Sequence, residues 1–332
     1  MSNLAVTMAC GPYDRTAALV DGSVRPEGID LTYVPIQSPP EIFARMIMKH
    51  SFDVAEMSCS MYMTLRTRGE FPFVALPIYP SRLFRHGFIF INSESGVKTP
   101  KDLEGKRVGV PEYRQTAAVW IRGILQHEYG VAIDRICWFV GGVNNPRSAD
   151  ELDEILPEDR SLQLDQIPAD RTLSDMLAKG EIDAYIGARQ PFALGKQSQV
   201  QRLFPDYRAE ERRFFQKTGI FPIMHTLVMK EELYQQHLWV AESLYKAWEE
   251  SKARALQNMR FSGTLRYMLP WLFADIEELD AMFGGDPFPS GLHAKANQVT
   301  LGALQQYLLD QGFVRERRPL EDLFVPIVLS NE

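Results

Sequence analysis

Apolar runs of strand length alternate with helical stretches along most of this chain, which confines it to a fold of βαβ units with a parallel sheet. Strands are predicted at 4–9, 29–34, 53–57, 73–78, 88–92, 107–110, 136–140, 182–186 and 224–229. Helices are predicted at 40–49, 61–68, 116–129, 173–179 and 239–258. From about residue 235 onward the pattern is helical, broken by Pro270 and by Pro287-Phe288-Pro289. The stretch 144–170, rich in Asp, Glu and Pro, reads as a long surface excursion.

The order of these pieces suits two lobes joined by two crossovers. The boundaries read as 1–87 with 224–332 for one lobe, and 88–223 for the other. Small-molecule sites in such folds lie between the lobes, at the carboxyl ends of parallel strands. Those ends carry polar side chains here. The first strand leads into Tyr13 and Arg15, the third into Glu56, Ser58 and Ser60, and the fourth into Arg82, Arg85 and His86. The stretch KRVGVPEYRQTAAVWIRGIL, Lys106 to Leu125, is strand, turn and helix, and the strand ending at Ile186 leads to Arg189. Its turn, with Glu112, Tyr113 and Thr116 at the helix start, is bulky and charged. A phosphate loop would be glycine-rich, so a phosphate site is excluded. Glu112 can cap the helix or accept a phenolic hydrogen bond, and Tyr113 and Thr116 can bond a polar aromatic ligand.

Composition removes other classes. A net charge of −7 over 332 residues argues against a general nucleic-acid binder. No apolar run approaches the ~18 residues that span a membrane. The N-terminus has no basic region ahead of its short apolar run, so it is not expected to be an export signal. Three cysteines, Cys10, Cys59 and Cys137, form no CxxC pair and fit a reducing, cytoplasmic setting. Neither HExxH nor a paired-cysteine zinc pattern occurs, and no metal is expected. Homo-oligomer formation is left open.

Several stretches resemble type II periplasmic binding proteins, and within them the branch that contains 4,5-dihydroxyphthalate decarboxylase. They are VPEYRQTAAVWIRGIL, IFPIMH, FDVAEMS, GEIDAYIGARQP, ACGPYDRTAALVDGSVRPEGIDL, PSRLFRHGFIFIN and LRYMLPWL. The resemblance covers nearly the whole chain and is weakest over 144–168. It implies a two-lobed α/β fold with a ligand cleft between the lobes and a helical C-terminal region. It also implies loss of one carboxylate from a small aromatic dicarboxylate, giving protocatechuate and carbon dioxide.

That reaction sets requirements. The ring carbon must be protonated before carbon dioxide leaves, and a hydroxyl para to it supplies the electrons once deprotonated. No organic cofactor is needed. Cations must hold the retained carboxylate, and proton carriers must serve the phenol and the ring carbon. Arg15, Arg82, Arg85 and Arg189 are the candidate cations, with Tyr13, Glu56, Ser58, Ser60, Tyr113 and Thr116 as further substrate contacts. His86, His225 and Glu112 are the candidate catalytic groups, and the two histidines sit at the two predicted hinges. The alternatives are a non-catalytic solute-binding protein for an aromatic carboxylate, and a cytosolic pyrimidine-precursor enzyme, for which no motif is present.

Overall fold

A computed structural model describes residues 3–69, 71–147, 157 and 164–327. Most of the predicted excursion, at 148–156 and 158–163, lies outside the described residues. Among the described residues there are eleven strands in two sheets. They are β1 Leu4–Cys10, β2 Ile29–Pro35, β3 Val54–Ser58, β4 Phe73–Arg82, β5 Ile89–Asn92, β6 Arg107–Val110, β7 Cys137–Val140, β8 Leu164–Gln166, β9 Ala184–Ile186, β10 Val200–Arg202 and β11 Ile223–Lys230.

The first sheet runs β2-β1-β3-β11-β4 and the second β10-β5-β9-β6-β7-β8. Both are mixed, which differs from the all-parallel expectation. In the first, β1 pairs parallel with β2 and β3, while β11 runs antiparallel to both β3 and β4. In the second, β6 to β9 pair in parallel and β5 is antiparallel to β9 and β10. The antiparallel strands are those by which the chain passes between the lobes.

Helices cover the sheets: α1 Ala17–Val20, α2 Pro39–Lys49, α3 Cys59–Arg68, α4 Thr116–Tyr129, α5 Leu173–Ala178, α6 Tyr207–Thr218, α7 Glu231–Gln236, α8 Trp239–Arg260, α9 Leu272–Phe283, α10 Lys295–Asp310 and α11 Leu320–Leu323. Every residue of α4 from Thr116 to Leu125 is buried, because α10 packs on it while it faces the sheets. The largest apolar cluster crosses both lobes, joining Met57 and Tyr79 to Val108, Trp120, Leu301 and Leu308. Trp120 donates its indole N–H to the carbonyl of Ile223 at 2.9 Å, tying α4 to the start of β11. The C-terminal helical region is thus a brace spanning the two lobes.

Candidate active site

Glu56, on the central strand β3, is fully buried and anchors the polar centre of the first lobe. A buried carboxylate must be met by donors. Oε2 accepts from the Gly11 N–H at 2.9 Å and the Cys10 thiol at 3.3 Å. Oε1 accepts from the Tyr13 hydroxyl at 2.7 Å and lies 2.6 Å from His225 Nδ1. Burial pushes the Glu56 carboxyl up, but the bonds from His225, Tyr13 and Gly11 outweigh it and hold it below its ordinary value. Burial beside this carboxylate raises the Tyr13 hydroxyl and the Cys10 thiol, so both stay protonated as donors. Gly11 is required by packing: a Cβ there would stand 2.7 Å from the Tyr13 ring.

A carboxylate only accepts, so His225 presents Nδ1–H to Glu56, and Nε2 is the ring nitrogen left outside that pair. The imidazole is held edge-on by Phe43, with 5.1 Å between ring centroids, and its side chain is 18% exposed. This is an oriented imidazole at the edge of solvent.

His225 pairs in register with Ser58, the last residue of β3, which also caps α3. Ser58 Oγ lies 2.8 Å from Thr116 Oγ1, and Ser60 Oγ lies 2.9 Å from the same atom. Ser60 also donates to the Arg114 carbonyl at 2.9 Å. Three hydroxyls therefore bring the first lobe to the start of α4, which has no side-chain cap. A helix start carries partial positive charge and unpaired N–H groups. Glu112 does not cap it. That carboxylate pairs with buried Arg114 at 3.0 Å, while Gln115 accepts from the Ala188 N–H across the second lobe at 3.0 Å.

The remaining sequence candidates differ in their surroundings, and of those that follow Arg15 alone touches a residue of this centre, Tyr13. His86 is buried among Tyr129, Phe204 and Phe214, and neither ring nitrogen has a hydrogen-bond partner. Burial depresses it to about 4, so it is neutral. Among the described residues no contact joins it to His225, although Arg85 and Met224, which adjoin the two histidines in sequence, meet at 3.1 Å. Tyr113 is buried under the Arg122 guanidinium, 3.6 Å from its ring centroid, and stacked on Phe313. Arg15 bonds the Pro80 carbonyl at 2.7 Å and covers the Tyr13 and Phe288 rings. Arg82 is buried and serves the C-terminal region, donating to the Pro289 carbonyl at 2.9 Å and to Asn297. Arg189 is exposed, and its carbonyl accepts from Tyr185.

Arg85 differs from the other arginines. Its guanidinium is buried and directs Nε at Met224 Sδ, 3.1 Å away, while Nη1 has no partner. Burial lowers it to about 10. The charge of Glu211 acts on it within the fold.

Cys10, Gly11 and Phe43 are the site residues that sequence reasoning missed. Only the Cys10-Gly11 step at the end of β1 carried a signal, a glycine where a side chain would strike Tyr13. Among the described residues no group of three His, Cys, Asp or Glu side chains is placed to hold a metal ion.

No protein-family model matches the chain. A 4,5-dihydroxyphthalate decarboxylase from Comamonas testosteroni is 36% identical over 332 residues, covering 100% of this chain and 99% of the relative. One from Pseudomonas putida is 39% identical over 191 residues, covering 58% of this chain and 73% of the relative. Among solved structures, the periplasmic aliphatic sulphonate binding protein SsuA from Escherichia coli aligns with a TM-score of 0.56 at 12% identity, covering 98% of this chain and 97% of that one. The desulfurization enzyme DSZB aligns with a TM-score of 0.52 at 16% identity, covering 98% and 97%. These two establish the fold, a two-lobed α/β architecture of the periplasmic-binding-protein type. A relative this similar over its full length establishes more: the chain belongs to the 4,5-dihydroxyphthalate decarboxylase family.

Proposed function

We propose that this protein is a carboxy-lyase of aromatic catabolism that converts 4,5-dihydroxyphthalate to protocatechuate and carbon dioxide. The observation that carries the reading is the Glu56–His225 pair beside the hydroxyl cluster, in a chain whose full-length relative bears that name. Binding a carboxylate requires donors. An oriented imidazole with a free nitrogen is what proton transfer requires.

In the proposed reaction His225 Nε2 removes the proton from the hydroxyl para to the departing carboxylate. The phenolate electrons move through the ring to that carbon, which takes up a proton. The carbon–carboxylate bond then breaks, its electron pair restores the aromatic ring and the para phenolate, and carbon dioxide leaves. The imidazolium returns its proton to that oxygen, so the ring carbon's proton is the one drawn from solvent. Glu56 positions the imidazole and stabilises its charged form; full burial keeps it from the substrate. The retained carboxylate is proposed to meet Arg85 Nη1 or the start of α4 with Ser58, Ser60 and Thr116. His86, Tyr113 and Arg82 are proposed to hold the fold rather than the substrate. The lobes are proposed to be 1–87 with 224–332, and 88–223, closing over the ring.

A cytoplasmic location belongs to the same proposal, supported by three unpaired thiols. Among the described residues no helix is long and apolar enough to cross a membrane. The test is incubation of purified protein with 4,5-dihydroxyphthalate, following protocatechuate and carbon dioxide. In deuterated water the vacated ring carbon should carry deuterium. Tight binding without turnover would overturn the proposal in favour of a solute receptor.

A further inference from the structure

The turn between α8 and α9 exposes more large apolar surface than the rest of the molecule explains. Within thirteen residues Phe261 is 58% exposed, Leu265 64%, Met268 100%, Leu269 54%, Trp271 75% and Phe273 41%. Together they present roughly 800 Å² of apolar area, above the ~300–600 Å² of the largest patch on a typical monomer. The segment stands on a firm base. Phe283 at the end of α9 packs against Phe84, Phe215 and Phe221. Arg208 pairs with Asp275 at 2.6 Å and also with Glu278, which Arg212 joins.

We propose that this segment is the surface through which two copies of the chain associate about a two-fold axis. The exposed area matches the ~800 Å² that each partner contributes to a standard interface. No acidic residue occurs from Phe261 to Ala274, and Arg266 is the one cation within that span. The neighbouring charges are used within the chain, since Arg260 pairs with Asp280. What remains is an apolar centre depleted of charge, as in interfaces between identical subunits. A second copy brings the same apolar surface, which a two-fold contact makes self-complementary. A lipid surface fits less well, because interfacial helices carry a Lys/Arg-rich face and this chain is acidic overall.

Sedimentation velocity on the full chain, over a range of micromolar concentrations, tests this. The wild type should sediment as a dimer or a multiple of one. Met268→Glu and Trp271→Glu should each weaken self-association by at least ~30-fold. Met48→Glu, at an isolated exposed methionine on α2, should leave the mass unchanged. Thermal unfolding checks that each variant folds, and Trp271→Gln reads the same surface should a glutamate variant fail. A monomeric wild type, or a dimer indifferent to all the turn variants, overturns the proposal. So does a monomer that co-sediments with phosphatidylglycerol vesicles through these side chains.

Discussion

Glu56 and His225 sit on neighbouring antiparallel strands but not opposite one another: Glu56 faces Leu227 and His225 faces Ser58, so their 2.6 Å contact is diagonal. Diagonal partners share one face of the sheet. A slip of one residue in β11 would turn the imidazole to the other face and leave Glu56 buried without it. The β3–β11 register therefore decides whether the proposed acid–base pair exists.

The first expectation follows from that pairing. His225→Gln removes the proton carrier and should lower kcat by ~100-fold or more with little change in KM. Glu56→Gln keeps the shape and loses the charge, so its loss in kcat should be smaller, about tenfold. Steady-state kinetics on both variants decide the matter, and equal activity in His225→Gln and wild type would remove histidine from the mechanism.

Two buried arginines three residues apart should behave differently. Arg85→Met removes the cation with the free donor and should raise KM by ~10-fold or more while unfolding normally. Arg82→Met leaves the Asn297 carbonyl oxygen without its donor and the Pro289 carbonyl with only the Asn297 amide, and should cost about 1–3 kcal/mol of stability. Thermal melts alongside kinetics separate the two effects. The opposite assignment would make Arg82 the substrate cation.

Glu211 gives a stability signature in pH. Burial holds its carboxyl up at about 7 against an ordinary 4.5, outweighing the bond from the Gly87 N–H and the nearby Arg85. Because the folded state keeps this proton more tightly, stability is lost as pH rises from the ordinary value through about 7. Glu211→Gln can still accept from Gly87 and loses no proton. Its melting temperature should exceed wild type at about pH 8 and match it near pH 5. A constant difference at both would show that Glu211 is charged in the fold throughout.

His86 has the opposite slope. Its depression to about 4 from 6.5 means the unfolded chain takes the proton first, so stability falls as pH drops through that window. His86→Phe suits the surrounding rings and removes two unbonded nitrogens. It should flatten the acid side of the stability curve and keep kcat within about threefold of wild type, since no proton transfer is lost. A hundredfold fall in kcat would restore His86 to the chemistry.

Much of this architecture is legible in the sequence because strand-length runs, breakers and polar strand ends are local signals. The helix at Thr116–Tyr129 and the strand at Arg107–Val110 fall where expected. Strands β8 and β10, three residues each, are too short to show a period, and α6 is hidden by six charged side chains within Tyr207–Thr218. The site divides in the same way. Tyr13, Ser58, Ser60 and Thr116 sit at strand ends or helix starts, as the alternation implied, while Glu56 lies in the middle of β3 and His225 near the start of β11. Their partnerships depend on the insertion of β11 between β3 and β4, which no local pattern encodes. His86, Tyr113 and Arg82, proposed to hold the fold, are ambiguous in sequence because aromatic and cationic side chains serve ligands and cores alike. Only burial and bonding separate the uses.

The place of β11 also sets an order of events during synthesis. The second sheet draws its described strands from Ile89 to Arg202, so all of them have been made before Ile223–Lys230. The first sheet must wait, with β3 and β4 holding an open gap, until that late segment arrives to close it. Contacts so distant along the chain are slow to form and leave strand edges bare in the interval. His225 enters with that last strand, and Glu56 stays without it until then. The chain thus acquires its Glu56–His225 pair at the step that completes its first sheet, and a nascent protein halted before residue 223 would hold every described strand of the second sheet and lack that pair.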